Sequence, residues 1–249
     1  MISAGKCHVG KHRENNEDAI FISDSSFGCL PNIYIVADGM GGHKAGEYAS
    51  FLAIQSFCNY VKDHSSNEIS HENIKTFLLE AIAYTNNVIY QKAMENELLK
   101  GMGTTFLVSV FIDEDIYIAH VGDSRLYIIQ NDIIKQLTID HSFVEEMVRQ
   151  GTISEKEARN HPNRNAITRA VGTNPKVEVD IYNSKIEENS FVLMCSDGLS
   201  NMLKEEEIIH IFKNNGDLEN IAQSLVDRAN ENGGLDNISV IIIRGLKGR

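Results

Sequence analysis

Hydrophobic positions along the chain fall into short runs of period two in its middle, with stretches of helical period on either side. Ile33 to Ala37 is a compact β-branched run that stops at Asp38-Gly39, the pattern of a buried strand ending in a turn. From Ala45 to about Val61 the apolar positions spread over most of a helical surface, which predicts a buried helix. A polar stretch follows, with Ser70 as the expected N-cap. Then Ile74, Phe77, Leu78, Ala81, Ile82, Val88 and Ile89 keep helical spacing and predict a second helix.

The period then changes. Thr105 to Ile112, Ile116 to Val121, Arg125 to Ile129 and Ile133 to Leu137 read as short strands split by Asp-Glu-Asp, Gly-Asp-Ser and Gln-Asn-Asp turns. Connections this tight predict antiparallel neighbours, because parallel strands need long crossovers. Residues 142–170 are polar and weakly helical. Phe191 to Cys195 is an apolar strand ending at Ser196-Asp197-Gly198, and helices are expected near 204–213 and 217–230 before a last strand, Ile238 to Ile243. A shorter strand, Ala19 to Ser23, lies near the N-terminus. Helices clustered outside an antiparallel meander indicate α+β layers.

The 249 residues, 42% of them hydrophobic, suffice for one large domain with its own core. With three prolines and no repeat or flexible linker, one domain spanning 1–249 is expected. The net charge of −12 and the lack of a strongly basic stretch argue against nucleic acid and anionic membrane as partners, since both need a cationic face. Cys7, Cys29, Cys58 and Cys195 form no CxxC pair and read as buried, reduced thiols. No secretory h-region or membrane-length apolar run is visible, so a soluble, cytoplasmic protein is expected.

The acids change the picture because of where they sit. Asp38 and Asp197 each follow an apolar strand and precede glycine; Asp236 precedes the last strand; Asp123 lies in a turn between meander strands. An acid at a strand end is anchored by the sheet yet faces an open rim, and carboxylate oxygens with a backbone carbonyl and waters are the shell that Mg²⁺ or Mn²⁺ prefers. Taken singly, each Asp-Gly pair also reads as an ordinary turn. Spacing alone does not bring the acids together. Arg13, just upstream of Glu17-Asp18, has the planar fork that suits a pair of phosphate oxygens, or else balances those acids at the surface.

Seven motifs in order resemble the metal-dependent type 2C protein phosphatases, in particular their compact bacterial form. They are Arg13-Glu-Asn-Asn-Glu-Asp18, Asp38-Gly-Met-Gly-Gly-His43, Gly101-Met-Gly-Thr-Thr105, His120-Val-Gly-Asp-Ser-Arg125, Leu137-Thr-Ile-Asp-His-Ser142, Cys195-Ser-Asp-Gly-Leu199 and Gly233-Gly-Leu-Asp-Asn-Ile238. The resemblance implies a four-layer α-β-β-α sandwich, two antiparallel sheets flanked by helices. It implies that Asp38 bridges two Mn²⁺ or Mg²⁺ ions, with the Gly39 carbonyl on one of them. Asp197 and Asp236 would complete the first ion's shell, Glu17 would help hold the second with Asp18 nearby, and Asp123 would serve a third, weaker site. Arg13 would clamp the phosphate, and residues 142–170 would form a flap beside the site. The implied reaction is hydrolysis of phosphoserine and phosphothreonine in proteins by a metal-activated water, without a phosphoenzyme. The implied partners are phosphorylated proteins, substrates of a serine/threonine kinase and the kinase itself.

One departure concerns proton donation. Many eukaryotic relatives carry a histidine directly after the Asp-Gly pair, where this chain has Met40; His43 lies three residues on, and the general acid stays unassigned. Two rival readings stand beside the main one. Cys7-His-Val-Gly-Lys-His-Arg13 fits the C-x-x-G-x-x-R phosphate loop of cysteine-dependent phosphatases, although that loop should feed a helix, and here acids and a strand follow. A catalytically weak, phosphoprotein-binding family member is the other, although such proteins typically lose metal-binding acids and this chain keeps Asp38, Asp197 and Asp236.

Overall fold

The computed structural model describes residues 1–42, 44–214 and 216–245. The N-terminal strand β1 (Ile2–His8) is followed by β2 (Asp18–Ser23) and β3 (Ile33–Met40), then by helices α1 (Ala45–Asp63) and α2 (Ile74–Glu95). The meander comprises β4 (Gly103–Thr104), β5 (Phe106–Ile112), β6 (Asp115–Val121), β7 (Arg125–Gln130) and β8 (Ile133–Gln136). Short helices α3 (Phe143–Arg149) and α4 (Glu155–Ala158) precede β9 (Asp180–Lys185) and β10 (Phe191–Cys195). Helices α5 (Asp197–Ser200), α6 (Glu205–Asn214) and α7 (Leu218–Glu231) and strand β11 (Ile238–Arg244) complete it.

The strands form two antiparallel sheets, one ordered β1-β11-β10-β7-β8 and the other β2-β3-β5-β6-β9, with β4 paired to β3. Side-chain parity explains why they stack. Along β3, Ile33, Ile35 and Ala37 pack against α1 and α2, whereas Tyr34 and Val36 enter the layer between the sheets. Along β11, Ile238, Val240 and Ile242 face α6 and α7, and Ile241 and Ile243 face inward. Both sheets are thus apolar on both faces. The expected α-β-β-α order is observed.

Several local expectations need correction. The Gly122-Asp123-Ser124 turn joins no hairpin: β6 belongs to one sheet and β7 to the other, so this turn crosses the seam between them. Gly122 has φ +110 there, with Thr105 packed so close that a Cβ would lie 2.6 Å from its side chain. Asn73, not Ser70, is the cap position of α2, and Ser70 instead accepts from the Glu72 amide. Strand β3 continues through Asp38 and Gly39 rather than ending before them, because Gly39 and Met40 pair with β4. Strands β1, β4 and β9 and the single turn α5 were not expected at all. Among the described residues no helix is long and apolar enough to cross a membrane.

Candidate active site

Polar residues gather at one end of the inter-sheet layer because strand parity carries them there. The inward positions that hold Tyr34 and Val36 continue to Asp38; those of Ile20 and Ile22 begin at Asp18. In the facing sheet, Val192 and Met194 lead to Ser196, and Ile241 follows Ser239. Antiparallel pairing sets Asp18 opposite Asp38, and it sets Cys195, just before Ser196-Asp197, opposite Val240, just after Asn237 to Ser239. The Asp123 turn crosses the seam at this same end. Sequence spacing left convergence open; alternating parity and register produce it.

Hydrogen bonds from backbone and side chains hold most of these acids. The Asp38 amide donates to Thr105 Oγ1 at 2.9 Å, and its carbonyl accepts from the Thr105 amide at 2.8 Å and from Thr104 Oγ1 at 2.9 Å. The Gly39 amide donates to the Glu17 carbonyl at 3.0 Å, and Ser50 on α1 donates to the same oxygen at 2.6 Å. Asp18 accepts from Ser196 Oγ at 2.7 Å, and Asp197 accepts from Asn201 Nδ2 at 3.0 Å. Asp236 receives the Asn237 amide at 2.8 Å and Arg13 Nη2 at 2.8 Å. Arg13, Glu17, Asp38, Gly39, Asp123, Asp197 and Asp236 all line one cleft of about 240 Å³, and Asp18 lies behind it. Asn165 and Ile167, on the returning limb of the 142–170 segment, close its side. His43 lies outside the described residues.

Burial makes these acids reluctant to ionise. It raises Asp18 to about 7 and Asp197 to about 6, with neighbouring carboxylates adding to the shift. Asp38 and Asp123 are held well above the usual carboxylate range, first by burial and then by the surrounding aspartates. Glu17 is raised too, mainly by burial, with Arg13 opposing. Asp18 Oδ1 and Asp197 Oδ1 are buried without a hydrogen-bond partner. Orphaned, mutually repelling oxygens of this kind are what a cation satisfies. Among the described residues no three acid, histidine or cysteine side chains close on one point as a complete ligand set. Mg²⁺ is usually held by one or two carboxylates and keeps several waters, so an open ring of acids suits such an ion.

The thiolate reading fails on geometry. Cys7 lies within β1, paired to Ser239, and its thiol is pushed up to about 11 by burial. A thiol so protonated is no nucleophile. Arg13 leads through a loop into strand β2 rather than into a helix.

Thr105, Ser196, Asn237 and Ser50 are site residues that sequence reasoning did not single out. Thr105, Ser196 and Asn237 stand inside the quoted motifs, and parity with the inward apolar residues was the available signal for Ser196.

Buried acids that repel one another persist where cations offset them, and an arginine at their rim suits an anionic ester; together these define a cation-dependent phosphoester hydrolase. The chain belongs to the protein phosphatase 2C family, whose pattern it matches over residues 2–238. It is 40% identical over 236 residues to the serine/threonine phosphatase stp of Listeria innocua serovar 6a, covering 94% of this chain and 92% of that one. The S. agalactiae serine/threonine phosphatase structure superposes with a TM-score of 0.90 at 34% identity, covering 98% of each chain. The catalytic domain of the serine threonine protein phosphatase PstP, solved in complex with two manganese ions, gives a TM-score of 0.83 at 29% identity over 97% of this chain and 96% of that one. The protein is a metal-dependent serine/threonine phosphatase that acts on phosphorylated proteins.

Proposed function

We propose that Asp38, Asp197, Asp236, Glu17 and the Gly39 carbonyl hold a pair of divalent cations, that Asp123 serves a third, weaker position, and that Arg13 binds the phosphate. The observation carrying this reading is the orphaned, buried oxygen Asp197 Oδ1, which lines the cleft among acids that burial and mutual repulsion hold above their usual range. An all-oxygen donor set suits Mn²⁺ and Mg²⁺. Manganese in the PstP structure favours that ion as a first choice.

When bound, the two ions supply charge that offsets what develops on the phosphoryl group, and they lower the pKa of an attacking water. The chain's own groups hold the geometry. Thr105 fixes the Asp38 backbone, Ser196 orients Asp18, and Asn201 orients Asp197. Arg13, half exposed, turns from Asp236 to the phosphate oxygens when substrate arrives. Residues 142–170 act as a flap, bordering the cleft through Asn165 and Ile167.

The substrates on this reading are proteins phosphorylated by a serine/threonine kinase, with that kinase among them. Four free cysteines agree with a reducing, cytoplasmic setting. Titrating Mn²⁺ into phosphopeptide hydrolysis by the wild type and Asp38→Ala tests it. The wild type should need added cation, and the variant should lose nearly all turnover while keeping its fold. Near-normal kinetics in Asp38→Ala would refute the ligand assignment.

A further inference from the structure

Asn237 is 4% exposed and sits between the loop that carries Arg13 and Glu17 and the turn that carries Asp236. Both ends of its side-chain amide are engaged. Nδ2 donates to the carbonyls of Val9 and Asn15, each at 2.9 Å, and Oδ1 accepts from the Glu17 amide at 2.7 Å. Two carbonyls on one side and an N–H on the other fix the amide's orientation, since a flip would set like against like. Its own backbone N–H donates to Asp236 Oδ1 at 2.8 Å. Its carbonyl lies so close to Gly198, next to Asp197, that a Cβ there would stand 1.9 Å away. One residue therefore touches the segments of Arg13, Glu17, Asp236 and Asp197.

The loop from Val9 to Glu17 belongs to no helix or strand. A loop outside regular structure opens at little cost unless side chains tie it down. Lys11 adds one tether, its amide donating to the Gly234 carbonyl at 2.8 Å. Asn237 supplies three, on both sides of Arg13.

We propose that Asn237 is a positioning residue: its side-chain amide sets the Arg13–Glu17 loop against Asp236, so that the arginine meets the phosphate at the right distance from the acids. The inference rests on the reading of Arg13 as the phosphate-binding group. Asn237 itself touches no substrate. Misplacement by about 1 Å costs on the order of 10²-fold in rate, which is the scale of effect expected.

The test is a double-mutant cycle on phosphopeptide hydrolysis with Asn237→Ala and Arg13→Ala at saturating Mn²⁺, together with amide hydrogen exchange of the metal-free proteins. Asn237→Ala should lower kcat/KM by about 10–100-fold, mainly through KM, yet by less than about 3-fold once Arg13 is gone, because the two changes act on one element. Exchange should quicken over residues 10–17 and stay unchanged in β3 and β5. Asn237→Asp, which keeps the acceptor for Glu17 and loses both donors, should show the same coupling and serves if the alanine variant fails to fold. Losses that multiply independently, or unchanged exchange in the loop, would overturn the proposal. Should Arg13→Ala alone have no effect, the phosphate-binding role of Arg13 would fall instead, and the exchange result would still report whether Asn237 holds the loop.

Discussion

Asp18 stands directly across the β2–β3 ladder from Asp38, a buried acid and a part-buried one on the same inward face of one sheet. Like charges placed so are destabilising, and the Ser196 hydroxyl that donates to Asp18 offsets only part of the repulsion. The sheet tolerates the pair only when protons or cations neutralise it. That tension yields the first prediction.

Asp18 is raised to about 7, against an unfolded carboxylate near 4. Between those values the folded chain binds more protons than the unfolded one, so the metal-free protein loses stability as pH rises. Asp18→Asn should flatten that slope in EDTA and melt several degrees higher than the wild type at pH 8, at about 2–4 °C per kcal/mol for a chain this size. Buried His120, lowered to about 3 by burial, has the opposite slope below pH 6.5 but is common to both proteins. Melting curves from pH 5 to 8 decide; parallel curves would contradict the prediction.

Cations and protons compete for the same oxygens. Mn²⁺ should therefore raise the melting temperature more at pH 8 than at pH 6; one ion at a hundredfold above its Kd stabilises the fold by about 2.7 kcal/mol. Equal shifts at both pH values would show that the ion binds elsewhere.

Arg13→Ala should lower kcat/KM by about 10–100-fold, the worth of one or two charge-assisted bonds, with KM carrying most of the loss. Initial rates over a range of phosphopeptide concentration measure it. A loss confined to kcat would point to a different role.

Cys7→Ser should leave kcat within about twofold, because a thiol held to about 11 inside a strand takes no part as a nucleophile. EDTA should abolish turnover in both proteins. An inactive serine variant would revive thiolate chemistry.

Gly198→Ala should destabilise the protein by about 1–3 kcal/mol or more, since its Cβ would meet the Asn237 carbonyl at 1.9 Å and the backbone must move. Urea unfolding measures this. A neutral change would mean that the Asp197 turn is looser than its packing indicates.

Long periodic segments were legible in the sequence: Ile33–Ala37, both flanking helix pairs and the last strand fall where their patterns put them. The two-residue connection at Asn131-Asp132 also behaved as a hairpin, with φ of 48 and 66 as a tight turn between antiparallel strands requires. Ile2–His8 and Asp180–Lys185 escaped notice because both are half-exposed strands at sheet edges or ends, with Ser, Gly, Lys and Asn among their residues. Gly122–Ser124 misled for a physical reason: a crossing between sheets and a hairpin turn share the same short glycine-bearing sequence. Each acid of the site could be named from its motif, whereas their meeting depended on pairing register, such as Asp18 with Asp38, which no local pattern carries.

Calorimetric titration of Mn²⁺ into the metal-free wild type and Asp38→Asn tests the central claim most directly. Two tight equivalents in the wild type, a weaker third, and collapse of the tight binding in a variant that still unfolds cooperatively are predicted. Identical isotherms for the two proteins would contradict the account.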